Sequence, residues 1–368
     1  MTSALPAPTG PYIVGSRHIF LTDTGRSDPF SGAATRQVTL NAWYPTLGTG
    51  IYSKYLSDNT SRDQTLAVDD AEGFDGTWNY LFNPSSTMYP KIHAMNTWGI
   101  DNAAPRTDLG ALPVVVFSPG FGVPGAFYSI TAANLASNGF VVLVLSDTWE
   151  GIAVETATGV ATQNVGAVNN QWQKCLAART GDFEYVLNQL PTLPNGLGAV
   201  IDTTRIGGAG HSYGGYTAMQ CAFSDTRIKS VLVLDGTCGW PGTTSSCQTG
   251  GMPNHQPVLL FAADPAIEKP SAAEHASWTG FEAQHHGPLW VTHMTGAAHY
   301  AMSDVCVVDP NTTTFSGTIA AARAAAIVPA YATDFFDFTL RGGPGTLTTG
   351  PSASYPEVTF VITDPSGA

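Results

Sequence analysis

The chain has 368 residues, a formal net charge of −13 at pH 7 and only 12 % charged residues. This negative charge argues against binding of nucleic acid and against adsorption to anionic membranes. No run approaches the roughly 20 apolar residues of a membrane span. No phosphate-binding loop, dinucleotide fingerprint or zinc-type Cys/His spacing occurs, so no cofactor and no metal are expected.

The first part of the chain predicts an antiparallel start followed by an irregular segment. Residues 12–45 predict two strands, whereas residues 50–110 show no clear period and are interpreted as an excursion over the active-site face. Leu112–Ser118 is a continuous apolar, β-branched run, typical of a strand buried on both faces of a parallel sheet. It ends at Pro119-Gly120-Phe121-Gly122, where the N–H of Phe121 is our candidate for one half of an oxyanion hole.

The remaining chain alternates strands and helices. Helices are predicted near 126–137, 168–190, 214–223, 271–284 and 317–340, and strands at 140–145, 204–209, 230–235, 257–263 and 288–294. Residues 344–368 are predicted to form a tail or an edge strand. This alternation predicts an α/β fold, specifically a mostly parallel central sheet with helices on both faces. An α/β sheet with insertions commonly stays one domain, so a single domain over 1–368 is expected.

The pentapeptide Gly210-His211-Ser212-Tyr213-Gly214 lies between a predicted strand and a predicted helix. A serine on such a sharp turn is held in strained backbone geometry with its hydroxyl exposed, and small neighbours let the chain pass closely. Ser212 is therefore the candidate nucleophile. The N–H of Tyr213, the next residue, is the candidate for the second half of the oxyanion hole.

A serine hydrolase also needs a base and an acid that orients it. Among nine histidines, His299 follows a predicted strand after the loop Thr295-Gly296-Ala297-Ala298, where it can reach over the nucleophile. His299 is the predicted base. Asp235 and Asp264 each follow a strand, at the edge where open α/β sheets place functional groups, so the residues alone leave both open as the acid.

The chain resembles the platelet-activating-factor acetylhydrolase branch of the α/β-hydrolases, which includes secreted bacterial and fungal relatives. The motifs that carry this resemblance are Val14-Gly15-Ser16-Arg17, Trp43-Tyr44-Pro45, Val116–Gly122 with Tyr128-Ser129, Arg179 with Asp182, Asp202–Ile206, Gly210–Gly214, Leu234-Asp235-Gly236, and His299 near Asp304. The resemblance implies an ester hydrolase and favours Asp235 over Asp264 as the acid. The chain departs from the family at Pro119, where animal members usually carry His, and residues 50–110 match poorly.

Cysteines and N-glycosylation sequons indicate whether the protein is secreted or cytosolic. Cys238 and Cys247 flank a turn-rich loop just after Asp235, and we predict a disulfide between them, the alternative being free thiols in a reducing cytosol. The opening residues lack a leader pattern, while sequons at Asn59 and Asn311 and the scarcity of lysine favour a secreted protein whose leader was removed. A monomer is expected.

The predicted mechanism is two-step acyl transfer on short-chain or lipid-like esters. Three alternatives stay open: a cutinase-like polyester hydrolase, which would favour Asp264; a prolyl-oligopeptidase-like peptidase; and a non-catalytic binding protein on a hydrolase fold. The peptidase interpretation depends on the motif Ser212–Tyr216, but that family has a far longer N-terminal region. Trp149, Glu150 and Trp240 are interpreted as pocket-lining side chains, with ordinary loop packing as the alternative.

Overall fold

The computed structural model describes residues 5–56, 81–240, 242–308 and 316–367. The strands run Ile13–Asp23 (β1), Arg36–Thr46 (β2), Tyr52–Lys54 (β3), Asn96–Asp101 (β4), Leu112–Ser118 (β5), Val141–Ser146 (β6), Ala153–Thr156 (β7), Gly159–Thr162 (β8), Ile201–His211 (β9), Ile228–Leu234 (β10), Val258–Ala262 (β11), Leu289–Met294 (β12) and Val358–Asp364 (β13). The α-helices run Tyr89–Ala94 (α1), Ser129–Ser137 (α2), Val165–Val168 (α3), Trp172–Gln189 (α4), Tyr213–Ser224 (α5), Ser246–Gly250 (α6), Ala272–Glu282 (α7), Val305–Val308 (α8) and Ala321–Arg341 (α9).

The described strands form one large sheet, in the order β13-β12-β11-β10-β9-β5-β6-β2-β1-β4-β3, and a separate β7–β8 hairpin. The centre of the large sheet, from β12 to β6, is parallel throughout. Antiparallel pairing begins at β2 on one side and at β13 on the other. The predicted α/β-hydrolase class is confirmed, and the parallel strands end together at one edge.

Strand β5 shows why the sheet is covered on both faces. Its side chains alternate between two apolar layers: Val115 and Phe117 face the layer that holds α2 and α9, and Val114 and Val116 face the layer of α4 and α5. Every residue of β5 is buried. Burial on both faces explains the unbroken apolar run in the sequence, because no face of the strand meets water.

The structure differs from the sequence prediction between residues 50 and 110. This segment is not irregular throughout, since β3 and β4 extend the large sheet beyond β1. Residues 57–80 lie outside the described residues, as do the sequons at Asn59 and Asn311. The β7–β8 hairpin was not predicted. At the other end of the sheet, β13 pairs antiparallel with β12 as the edge strand. No helix within the described ranges is long and apolar enough to cross a membrane.

The predicted disulfide between Cys238 and Cys247 is wrong, because both side chains are buried free thiols. The Cys247 thiol donates to the carbonyl oxygen of Cys238 at 3.3 Å, and Gln220 Nε2 donates to the same sulfur at 2.7 Å. Burial raises the pKa of the Cys247 thiol to about 11. The thiolate, which is the species that forms disulfides, is therefore scarce near neutral pH.

Candidate active site

Ser212 occupies the turn between β9 and α5, at the edge where the parallel strands end. Its backbone has φ 56° and ψ −126°, a combination that costs a non-glycine residue about 1–3 kcal/mol. The Ser212 N–H donates to the carbonyl oxygen of Leu234 at 2.9 Å, which ties the turn to the end of β10. The predicted strand–serine–helix turn is present, with the serine at its strained apex.

The glycines that flank Ser212 are required by close packing. A Cβ atom on Gly214 would lie 2.0 Å from the carbonyl oxygen of Ser118, and one on Gly210 would lie 2.3 Å from the carbonyl carbon of Gly214. Both distances are far inside van der Waals contact. Helix α5 can therefore begin against the end of β5 only because these positions carry no side chain.

His299 lies beside Asp235. Its Nδ1 is 2.5 Å from Oδ2 of Asp235, and the other carboxylate oxygen accepts the N–H of Ala263 at 2.7 Å. The His299 side chain is 27 % exposed and that of Asp235 is 18 % exposed, so the pair is partly open to solvent. With Nδ1 held by the carboxylate, the second ring nitrogen remains for proton transfer.

Hydrogen bonds and nearby charges outweigh desolvation in setting the pKa values of His299 and Asp235. Burial alone would lower the pKa of His299, but the hydrogen bond and charge of Asp235, with the charges of Glu268 and Glu274, raise that pKa above its ordinary value. Burial tends to raise the pKa of Asp235, yet the hydrogen bond and charge of His299 and the Ala263 N–H lower it. The carboxylate is therefore ionised wherever the imidazole titrates.

Asp264 has a different environment. Its carboxylate accepts the N–H of Gly296 at 2.8 Å and the N–H of Ala266 at 2.9 Å. Both bonds brace loops, one of them the loop that leads to His299. The structure thus places the Asp235 carboxylate against His299 and the Asp264 carboxylate against the backbone of two loops.

The two candidate oxyanion residues lie side by side. The rings of Phe121 and Tyr213 have centroids 6.1 Å apart. Tyr213 is the first residue of α5, where a backbone N–H has no acceptor within its own helix. Phe121 donates no backbone hydrogen bond within the described part of the chain. Neither N–H therefore has a backbone acceptor among the described residues, as a donor to an oxyanion requires.

A buried hydrogen-bonded chain connects the Phe121 loop to His299. Tyr128 Oη accepts the N–H of Gly120 at 2.9 Å and lies 2.9 Å from His211 Nδ1. His211 Nε2 lies 3.1 Å from the carbonyl oxygen of His299. Burial and the charge of His299 hold the pKa of His211 well below its ordinary value, so His211 is neutral. This series of hydrogen bonds was not predicted from the sequence, although Tyr128 and His211 both belong to motifs that carry the family resemblance.

The three residues predicted to line the pocket lie in different environments. Glu150 is buried and pairs with Arg179, one of the motif residues. Trp240 packs on Trp172, with ring centroids 5.2 Å apart. Trp149 is half-buried. Glu150 is therefore a support group rather than a lining residue.

Asp235, Glu268 and His299 bring one ligand-type atom each within 4.8 Å of one another. These atoms are already engaged: His299 Nδ1 bonds Asp235, and the His299 backbone N–H donates to Glu268 Oε2 at 2.6 Å. A cation there would have to displace the imidazole proton between His299 and Asp235. The arrangement fits proton transfer better than metal coordination.

The fold and the strained serine at its carboxyl edge define an α/β-hydrolase. The family model described as platelet-activating factor acetylhydrolase, isoform II, matches residues 1–189. This chain belongs to that family, which confirms the resemblance drawn from its motifs.

Relatives and solved structures agree on the class of reaction. A probable 1-alkyl-2-acetylglycerophosphocholine esterase of Arthroderma benhamiae is 26 % identical over 97 % of this chain and 93 % of its own length. The platelet-activating factor acetylhydrolase of Canis lupus familiaris is 25 % identical over 52 % of this chain and 50 % of its own. A ferulic acid esterase structure from Streptomyces cinnamoneus matches with a TM-score of 0.79 and 25 % identity, over 97 % of this chain and 99 % of the other. The protein is a carboxylic-ester hydrolase.

Proposed function

We propose that this enzyme is a serine esterase that cleaves carboxylic esters through an acyl-enzyme on Ser212, with His299 as base and Asp235 as the acid that orients it. The observation that carries the proposal is the 2.5 Å contact between His299 Nδ1 and Asp235 Oδ2. A histidine held in this way has a fixed tautomer, and its imidazolium form is stabilised by the carboxylate. The strained backbone of Ser212 supplies the matching nucleophile position.

The reaction proceeds in two acyl transfers. His299 Nε2 takes the hydroxyl proton as Ser212 Oγ forms a bond to the ester carbonyl carbon, and the oxyanion accepts hydrogen bonds from the N–H groups of Phe121 and Tyr213. The C–O bond to the alcohol then breaks, and His299 gives its proton to the departing alkoxide. Water adds to the acyl-enzyme in the same way, which releases the carboxylic acid and restores Ser212.

Short-chain and lipid-like esters are the proposed substrates. Support comes from the relative named as an esterase of 1-alkyl-2-acetylglycerophosphocholine, which matches nearly the whole chain. That name describes an acetyl group on a lipid alcohol. We therefore propose acetyl esters as the first group of substrates to test, with secretion and a monomeric state as accompanying proposals.

Aryl esters are a second candidate class, favoured by an aromatic cluster beside the two oxyanion candidates. Phe121 packs on Trp172 with ring centroids 4.9 Å apart, and Tyr213 packs on Trp240 at 5.3 Å. Phe121, Trp172 and Trp240 are each only half-buried, so they present ring surface to solvent. A flat aromatic group can stack on such a surface. The similar Streptomyces structure is that of a ferulic acid esterase.

Hydrolysis of a chromogenic acetyl ester, an aminoacyl anilide and a polyester film by wild type and Ser212→Ala tests the proposal. We expect turnover of the acetyl ester that falls by at least about 10³-fold in Ser212→Ala, because loss of the attacking group removes the acyl-enzyme route. Preference for the anilide would favour the peptidase alternative, and preference for the film would favour the cutinase-like one. Equal turnover by both proteins would overturn the assignment of Ser212.

A further inference from the structure

The guanidinium of Arg179, on α4, contacts the loop that carries Phe121. Its Nη1 donates to the carbonyl oxygen of Pro119 at 2.7 Å and to Ser118 Oγ at 3.1 Å. Its Nη2 donates to the carbonyl oxygen of Gly120 at 3.3 Å. The Arg179 side chain is only 1 % exposed, so these bonds form away from competing water.

The bond to Gly120 bears directly on the direction of the Phe121 N–H. The carbonyl of Gly120 and the N–H of Phe121 belong to one planar, trans peptide unit, in which the two groups point in opposite directions. Fixing the carbonyl toward Arg179 therefore turns the N–H away from it. The preceding peptide is fixed at both ends, because Pro119 O accepts from Arg179 and Gly120 N–H donates to Tyr128 Oη.

Arg179 also contacts the other half of the oxyanion hole. Its guanidinium carbon lies 5.3 Å from the ring centroid of Tyr213, within the range of a cation–π contact. Its charge is balanced by Glu150, which accepts from Nε at 2.8 Å. Oδ2 of Asp147 lies 3.0 Å from Nη2, but burial raises the pKa of Asp147 to about 7. One buried cation thus contacts both segments whose N–H groups must converge on one oxygen.

We propose that Arg179 is a positioning residue that fixes the Gly120–Phe121 peptide so that the Phe121 N–H faces the oxyanion of the reacting ester. This inference rests on the proposed serine esterase mechanism. It assigns to Arg179 an effect on the transition state, beyond the stability that any paired buried arginine provides.

Arg36 provides a matched control for a purely structural arginine. Its side chain is also only 1 % exposed and pairs with Asp28 and Asp182, both at 2.8 Å. It donates to the carbonyl oxygen of Thr148 at 2.8 Å and makes no hydrogen bond to residues 118–121. Substituting Arg36 therefore removes a comparable buried ion pair without touching the oxyanion loop.

The experiment compares Arg179→Lys and Arg179→Met with Arg36→Lys and Arg36→Met, each checked for folding by thermal unfolding. The readouts are kcat and KM for 4-nitrophenyl acetate and the inhibition constant of a trifluoromethyl ketone, whose adduct places an oxyanion in the same position. Loss of one oxyanion donor costs about 10²–10³ in kcat. We expect folded Arg179 variants to lose roughly 30-fold or more in kcat with little change in KM, and to bind the ketone weaker by a similar factor.

The Arg36 variants are expected to unfold at lower temperature but to keep kcat within about threefold of wild type. Unchanged kcat in folded Arg179 variants, or an equal loss in the Arg36 variants, would overturn the proposal. If neither Arg179 variant folds, Ser118→Ala removes only the 3.1 Å bond to Arg179 and must still lower kcat severalfold at constant KM; no effect would again overturn it. Ser212→Ala distinguishes failure of the Arg179 proposal from failure of the serine mechanism. If the serine mechanism is wrong, Ser212→Ala stays active.

Discussion

Tyr128 Oη lies 2.9 Å from His211 Nδ1 while it accepts the N–H of Gly120. His211 is neutral and the carbonyl oxygen of His299 can only accept, so His211 Nδ1 carries no proton and accepts the hydroxyl of Tyr128. The neutral imidazole then carries its proton on Nε2, which donates to the carbonyl oxygen of His299. Two fully buried side chains thereby connect the loop of the oxyanion hole to the backbone of the proposed base.

Tyr128→Phe should therefore lower both the free energy of unfolding and kcat. The substitution leaves the Gly120 N–H and His211 Nδ1 buried without a partner, at a cost of about 1–3 kcal/mol per group. Urea unfolding measures the loss of free energy, and kcat for an acetyl ester should fall with it.

Tyr331→Phe is the matched control, because Tyr331 Oη is buried and has no hydrogen-bond partner among the described residues. Removing that hydroxyl should cost far less free energy and leave kcat unchanged. Equal losses in both variants would contradict the role assigned to Tyr128.

Asp235→Asn should lower kcat by about 10⁴, the loss seen when a serine protease histidine is left in the wrong tautomer. Asp264→Asn should cost far less activity, since Asp264 bonds backbone N–H groups rather than His299. Steady-state kinetics of the two variants give the comparison. An inactive Asp264→Asn beside an active Asp235→Asn would reverse the assignment and favour the cutinase-like alternative.

The pH profile should show a base with a raised pKa. His299 must be neutral to accept the Ser212 proton, and burial, which lowers its pKa, is outweighed by Asp235, Glu268 and Glu274, which raise it. Activity should therefore fall as the pH drops through a midpoint above the ordinary histidine value of about 6.5. A midpoint at or below that value in the kcat/KM profile would contradict this prediction.

Glu268→Gln tests one cause of that raised pKa. The amide oxygen can still accept the His299 backbone N–H, but the negative charge is gone, so the acid limb should move to lower pH at a similar plateau. Glu357→Gln is the control, because Glu357 pairs with Arg323 and is not among the groups that shift His299. An unshifted limb in Glu268→Gln would exclude the electrostatic contribution.

Trp172→Ala and Trp240→Ala test whether aryl esters are substrates. Each aromatic contact is worth about 0.5–1.5 kcal/mol, which corresponds to roughly two- to tenfold in kcat/KM. We expect that loss for methyl ferulate and little change for methyl butyrate. Trp98→Ala, on β4 near the far end of the sheet, is the control. Equal losses for both esters would assign the two tryptophans to packing alone.

Local patterns in the sequence predicted the turn that carries Ser212, but not the buried side chains that hydrogen-bond to the loops around it. The turn at Ser212 was predicted from a buried strand and the flanking glycines Gly210 and Gly214, and in the structure neither position has room for a side chain. Asp235 and Asp264 could not be separated by local pattern, because both follow neighbouring parallel strands and differ only in which loop brings His299 close.

The sequence predictions were wrong or incomplete where contacts between distant parts of the chain determine the structure. The short strands β3 and β4 form by pairing at the sheet edge rather than by a strong local period. Cys247 is close to Cys238 in sequence, yet hydrogen bonds and burial keep it a thiol. Arg179 stood in a motif, but its contacts with Pro119 and Gly120 span about 60 residues of chain, and no spacing rule indicates them.

In the ladder between β5 and β9, Ser118 pairs with Gly210. A slip of one residue between these strands would shift Phe121 by about 3.3 Å relative to Ser212, more than the full length of a hydrogen bond. Ester turnover is then a sensitive reporter of strand alignment in the protein interior. During refolding, the return of activity should mark the moment when this ladder reaches its native register, later than the return of helical signal.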